Sequence, residues 1–189
     1  FAARAVLKHV LGLFEAAGLQ PVIAAELEFF LVKQSDDANS PLITPTGRSG
    51  RAEKAKQAYG IDAVNEFDPL FEDIYDHCDV QGLDIDTLSH EAGAAQMEIN
   101  FNHGNALELA DQAFLFKRTV RQTAINHRLH ATFMAKPMQE QPGSAMHIHL
   151  SMRSQKTGEN IFATAGGSDS DSFYHSLAGM QRYLSGAMA

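Results

Sequence analysis

The stretch "PVIAAELEFFLV" (residues 21–32) decides what this chain can be, because it has the period of a strand and is apolar on both faces. Its odd positions Ile23, Ala25, Leu27, Phe29 and Leu31 form an unbroken apolar face. The even positions Val22, Ala24, Phe30 and Val32 are apolar too, and among them stand Glu26 and Glu28. A rise of ~3.3 Å per residue puts those two carboxylates about 7 Å apart on one side of the strand. On a solvent-facing sheet such a pair needs no explanation. Inside a strand that reads as buried on both sides, like charges are costly unless they are neutralised, paired or bound to a metal.

Two further stretches repeat the arrangement. In "LDIDTLSHEAGAAQMEINF" (83–101) two strands are expected, the second with Met97, Ile99 and Phe101 on one face and Gln96, Glu98 and Asn100 on the other. Glu91 and Glu98 are seven apart and would face opposite ways on an unbroken strand; a bend or bulge at Gly93 lets both converge. In "GSAMHIHLS" (143–151), Met146, Ile148 and Leu150 share the face expected to pack into the core, and His147, His149 and Ser151 share the other. E-x-E or H-x-H alone is weak. Four glutamates and a histidine on adjoining strand faces point to a hard cation, Mg²⁺ or Mn²⁺, with the imidazole leaning toward Mn²⁺. Five or six candidate ligands allow two neighbouring ions, a pairing that commonly serves phosphoryl transfer. Neither a Walker loop nor a dinucleotide fingerprint is present, so any nucleotide is held through its ions and by other residues.

The rest of the chain frames these strands. Helical spacing predicts a helix over 3–17 with one buried stripe (Val6, Leu7, Val10, Leu13, Phe14, Ala17), stopped at Gly18. It predicts a second over 62–80, a long third over 105–130 followed by strand-like "ATFMA", and a closing helix in "DSFYHSLAGMQRYL" (171–184) after a hairpin across "KTGEN". Residues 34–58 hold two prolines and two glycines with no period and read as a long loop, of the kind that is functional or mobile.

Composition narrows the class. A length of 189 residues suits one domain. A net charge of −8 argues against nucleic acid as a partner. The one cysteine, Cys78, sits in an apolar-periodic stretch and reads as a core residue, which suits a reducing cytoplasm. No apolar run approaches the ~18 residues of a membrane span. The start at Phe1 inside a helix, and the end at "YLSGAMA", suggest an excerpt of a longer protein.

The three ligand-bearing motifs resemble those of the glutamine synthetases, in the family's order: "AAELEFFLV", "HEAGAAQMEINF" and "GSAMHIHLS". The resemblance spans essentially the whole chain and implies an α+β fold, a largely antiparallel curved sheet with helices packed on one face. It implies that Glu28, Glu91 and Glu98 bind one divalent ion, and that Glu26 and His147 bind a second whose remaining ligand lies downstream. His149 and Ser151 would approach the ATP phosphates and nucleotide, with Asp86 a weaker nucleotide candidate, and Gly143 would lie against glutamate through its backbone. The implied reaction is attack of the glutamate side-chain carboxylate on the γ-phosphate of ATP, then displacement of phosphate from γ-glutamyl phosphate by an amine. The stretches "QAYGIDAVNEFDPLFEDIYDHC" and "FMAKPMQEQPGSAMHIH" are more similar to the γ-glutamylpolyamine (γ-glutamylputrescine) synthetase branch than to ammonia-using bacterial enzymes.

Some positions depart from the pattern. Ala94 and Ala95 replace a common Pro-Gly, Ala145 a frequent Gly and Pro142 a frequent Asn; Leu150 stands where a polar residue is usual. The resemblance also implies a β-grasp domain before Phe1 and arginine-rich and flap motifs after Ala189. Residues 1–189 would then be the N-terminal part of a catalytic domain, inactive as a ligase alone. It further implies a ring-shaped homo-oligomer, a dodecamer, with sites between subunits. The competing expectation is a non-catalytic structural or metal-binding relative, against which the retained glutamates and histidines weigh.

Overall fold

In the computed structural model, residues 2–37 and 39–162 are described. The order is α1 (Ala3–Ala16), β1 (Leu19–Lys33), α2 (Ile61–Asn65), α3 (Asp68–Gln81), β2 (Ile85–His90), β3 (Gln96–Phe101), β4 (Gly104–Asn105), α4 (Ala106–Asn126), β5 (Leu129–Thr132) and β6 (Met146–Ser154). They form a mixed helix and strand fold around one six-stranded sheet, ordered β2-β3-β1-β4, with β5 and β6 also pairing β1. β1 is therefore the hub: it pairs antiparallel with β3 and β5, and β3 pairs antiparallel with β2. Residues 27–32 of β1 are buried without a break, as its two apolar faces require.

The chain divides into two compact units, Phe1–Ile23 with Asn105–Leu107 and His149–Ala189, and Ala24–Gly104 with Glu108–Ile148. The second holds the main core. Register sets Phe29 opposite Met97 and Leu27 opposite Ile99, so these residues share one face with Phe101. α4 packs there, Phe116 meeting Phe101 edge-on at 5.3 Å and Phe133 at 6.5 Å. α3 buries Leu70, Phe71, Ile74 and Cys78 and joins α4 through His77 Nδ1 and Thr123 Oγ1, 3.0 Å apart. Burial pushes the Cys78 thiol up to about 11, so it is a core residue without thiolate chemistry. Among the described residues no helix is long and apolar enough to cross a membrane.

In the first unit α1 ends at Ala16, and Gly18, with a φ of 72°, turns the chain into β1. The end of β6 returns to that point, with Gln155 N donating to the Gly18 carbonyl at 2.9 Å. The expected hairpin across "KTGEN" is present, closed by a bridge between Arg153 and Asn160. The expected helix at 171–184 lies outside the described residues.

Four expectations change. The single helix over 62–80 is two, α2 and α3, because Pro69 in an unbroken helix would clash with the carbonyl of Asn65 and lack a donor; at Phe67 (φ −122°) the chain leaves helical geometry and Pro69 enters the first turn of α3. The long helix stops at Asn126, where Arg128 takes φ 59° and turns the chain into β5, so the strand precedes "ATFMA" by two residues. The stripe of α1 is not buried: Val6, Val10 and Leu13 are exposed, since period alone identifies an apolar face and not its partner. Met146, Ile148 and Leu150 are likewise 46%, 60% and 39% exposed rather than in the core.

The bend at Gly93 is a hairpin. A Cβ at Gly93 would come within 2.7 Å of the Phe30 ring and 2.6 Å of Gln96 Oε1, both buried, so only glycine fits. Gly93→Ala is expected to cost about 1–3 kcal/mol from overpacking, and Phe116→Ala about 3–5 kcal/mol from cavity formation, each read as a lower urea midpoint.

Candidate metal centre

The β1–β3 ladder that buries the apolar face fixes what stands on the other. Glu28 lies directly opposite Glu98, Glu26 opposite Asn100 and Phe30 opposite Gln96. Directly opposed side chains have Cβ atoms about 4.5–5.5 Å apart, so the carboxylates of Glu28 and Glu98 are gathered by the pleat itself. β6 brings the histidine. Glu28 N donates to the Ala145 carbonyl at 3.1 Å, and two residues later His147 Nδ1 stands 3.3 Å from Glu26 Oε2 and 3.8 Å from Glu28 Oε1. One ligand atom each from Glu26, Glu98 and His147 lie within 4.8 Å of one another.

Glu91 reaches the same place by another route. It is the first residue past β2, its N–H donating to the Gln96 carbonyl at 2.7 Å to close the hairpin. The two-against-one bulge of the pair lies lower, between Ile85 and Leu88, where Asp86 and Thr87 together oppose Asn100. Electrostatics report the crowding. Burial, then the charges of Glu26, Glu91 and Glu28, push the Glu98 carboxyl up to about 7. Burial and then Glu28 raise that of Glu91, while His147 opposes both shifts.

Glu28 is the most deeply placed of the four, and Gln96 holds it: Gln96 Nε2 donates to Glu28 Oε2 at 2.9 Å and to the Gly143 carbonyl at 2.9 Å, while its Oε1 accepts from Gly93 N at 2.9 Å. One buried amide thus ties the glutamate, the hairpin and the segment before β6. Gly143 is exposed, with its carbonyl engaged by Gln96, and Asp86 is exposed on the bulge. His149 and Ser151 belong to the other unit, exposed and half-buried respectively.

Glu26, Glu98 and His147 therefore come together in one group, with Glu28 beside His147 and Glu91 within electrostatic reach of Glu98, whereas the set expected to share an ion with Glu98 was Glu28 and Glu91. Sequence reasoning gave no role to Gln96, His90, Glu53 or Asn100. Gln96 had a signal, being two positions from Glu98 on one face. Glu53 and His90 are 37 residues apart and had none. Asn100 Oδ1 is the one buried side-chain oxygen or nitrogen without a hydrogen-bond partner among the described residues, and it stands beside Glu26 in the ladder. Crowded carboxylates, an imidazole and an orphaned amide oxygen are the donor set of a hard divalent cation, and the residues fit one.

Comparison with known proteins agrees with this face. The family model for the glutamine synthetase catalytic domain matches residues 1–189. The chain belongs to that family. It is 40% identical over 189 residues to the γ-glutamylputrescine synthetase PuuA of Escherichia coli (strain K12), covering 98% of this chain and 40% of the relative. To a glutamine synthetase of Halobacterium salinarum it is 37% identical over 160 residues, covering 85% and 33%. The solved structure of apo GmaS without ligand superimposes with a TM-score of 0.72 at 30% identity, covering 87% of this chain and 37% of that one. The chain thus spans about 40% of the length of the first of these curated relatives.

A carboxyl raised in the fold stabilises it below its unfolded value near 4.5, and that contribution is lost as pH rises toward 7. Without metal, the melting temperature should fall between pH 5 and pH 8; with Mn²⁺ or Mg²⁺ the fall should shrink or reverse, because binding displaces the proton and tightens with pH. Thermal melts at both pH values with and without cation check this; equal slopes would contradict the cluster.

Proposed function

We propose that the protein is an ATP-dependent ligase that joins the γ-carboxylate of glutamate to an amine through γ-glutamyl phosphate. The observation carrying this reading is the register that sets Glu28 against Glu98 and lets His147 close on Glu26. In this reading Glu28, Glu91 and Glu98 hold one divalent ion, and Glu26 and His147 a second. The proximity of Glu98 to Glu26 and His147 supports neighbouring ions that Glu98 reaches together. Bound Mg²⁺ or Mn²⁺ would neutralise charge on the transferring phosphoryl group and so permit an anionic carboxylate to approach it.

The protein's own residues do the rest by positioning. Gln96 fixes the Glu28 carboxylate so that its second oxygen stays turned toward His147. Gly143 offers backbone to glutamate, and a side chain there would press on the Ala135 carbonyl at 2.9 Å. His149 and Ser151 contact the ATP phosphates, and Asp86 on its bulge contacts the nucleotide. Residues 1–189 act as the N-terminal part of the catalytic domain, within a cytoplasmic ring-shaped homo-oligomer, a dodecamer, whose sites lie between subunits. These residues alone do not complete the site.

The acceptor is a polyamine rather than ammonia, a reading supported by the 40% identity to the E. coli enzyme named for putrescine. Phosphate release with glutamate, ATP and either putrescine or ammonium separates the two, and release stimulated by ammonium alone would overturn the polyamine assignment. Glu28→Ala and Glu98→Ala should each lower turnover below detection; near-normal turnover in either would contradict the metal roles. Failure of the intact protein to bind Mn²⁺ or Mg²⁺ in calorimetry would favour a non-catalytic relative.

A further inference from the structure

The loop over 34–58 is tied to the hairpin that carries Glu91 by a buried ion pair which the proposed chemistry does not use. Glu53 Oε2 and His90 Nε2 are 2.8 Å apart, with side chains 5% and 0% exposed. The other ring nitrogen, His90 Nδ1, lies 2.6 Å from the carbonyl oxygen of Glu91, and Glu53 Oε2 also accepts from Ala95 N at 3.0 Å. The ring thus lies between the Glu53 carboxyl group and the Glu91 carbonyl, with one nitrogen within hydrogen-bond distance of each, and so links the loop to the Glu91 peptide.

The backbone adds two more ties. Lys56 N donates to the Ala92 carbonyl and Tyr59 N to the His90 carbonyl, each at 2.8 Å. To make them, Lys56 and Tyr59 adopt φ of 68° and 61°, a conformation that non-glycine residues hold only where surroundings impose it. Glu53 is itself held by a turn, its N–H donating to the Pro45 carbonyl at 3.0 Å and Thr46 bridging Ala52. The peptide of Glu91 is thereby fixed at both ends, its N–H by Gln96 and its carbonyl by His90.

The geometry points to Glu53 as a positioning residue for the metal site: acting through His90, it sets the aim of the Glu91 carboxylate toward Glu28 and Glu98. This rests on the reading of Glu91 as a metal ligand. A buried ion pair is weak support for stability, because apolar residues of similar volume often serve as well. Groups that orient a metal ligand have a measurable effect on the metal instead, typically 10–100-fold in affinity.

The test uses the whole protein with Mn²⁺ as probe, reading affinity by calorimetry and the spin-resonance spectrum of the bound ion, with thermal melts as control for folding. Glu53→Gln, which keeps the shape and removes the charge, is expected to weaken Mn²⁺ binding about 10-fold or more and to change the spectrum. In a Glu91→Gln background the same change should add nothing, since its effect passes through Glu91. Glu53→Asp, which keeps the charge but shortens the reach, should give an intermediate loss, and it carries the test if Glu53→Gln does not fold. Unchanged affinity in the Glu53 variants while Glu91→Gln loses binding, or losses that simply add in the double variant, would overturn the inference. Binding unaffected by Glu91→Gln would overturn the reading of Glu91 itself, and this inference with it.

Discussion

The constraint on which this structure depends is the pairing of Glu28 with Glu98 across the β1–β3 ladder. Antiparallel register is quantised: a slip of β3 by one residue against β1 would turn Met97 and Ile99 outward and Glu98 into the core. The same register that lets α4 cover the apolar face therefore obliges two carboxylates to face each other on the reverse side. Like charges directly opposed destabilise a sheet. The hydrophobic core thus offsets the cost of a face on which, in the proposed function, a cation would neutralise the opposed charges.

Everything near that face is arranged to keep the charges where they are. Gln96 occupies the position opposite Phe30 and spends its amide on Glu28, Gly93 and Gly143 together. Gly93 has no side chain because the hairpin passes over the Phe30 ring and Gln96 with no room for one. His90, on the core side of β2 opposite Met97, connects through its ring to a glutamate far away in sequence. Burial and the charges of Glu26, Glu91 and Glu28 hold the Glu98 carboxyl well above the usual carboxylate range, which is the repulsion this arrangement resists.

Much of this was legible in the amino-acid sequence because strand alternation is local. The two faces of β1, the polar set Gln96, Glu98 and Asn100, and the H-x-H strand follow from a period of two, and a break in the chain at Gly93 from its glycine, although the break is a hairpin and the bulge lies between Ile85 and Leu88. What escaped has physical reasons. Pro69 breaks a helix whose apolar period runs straight across it, so pattern alone merged α2 with α3. Met146, Ile148 and Leu150 alternate as a core face does, yet stay exposed, because alternation tells which residues share a side and not what lies against it. The Glu53–His90 pair joins a loop without any period to a strand end, and only the folded chain brings them together. The candidate ligands were visible as residues, whereas the closeness of Glu98 to Glu26 and His147 required the pairing of three strands.

The most direct test of the central claim is anomalous scattering at the manganese edge from crystals of the whole protein grown with Mn²⁺. The account predicts a peak within coordinating distance, about 2.2 Å, of oxygens of Glu26 and Glu98 and of a ring nitrogen of His147, lost when Glu98 is replaced by Gln. A fully occupied peak elsewhere, with this cluster left empty at saturating Mn²⁺, would contradict it.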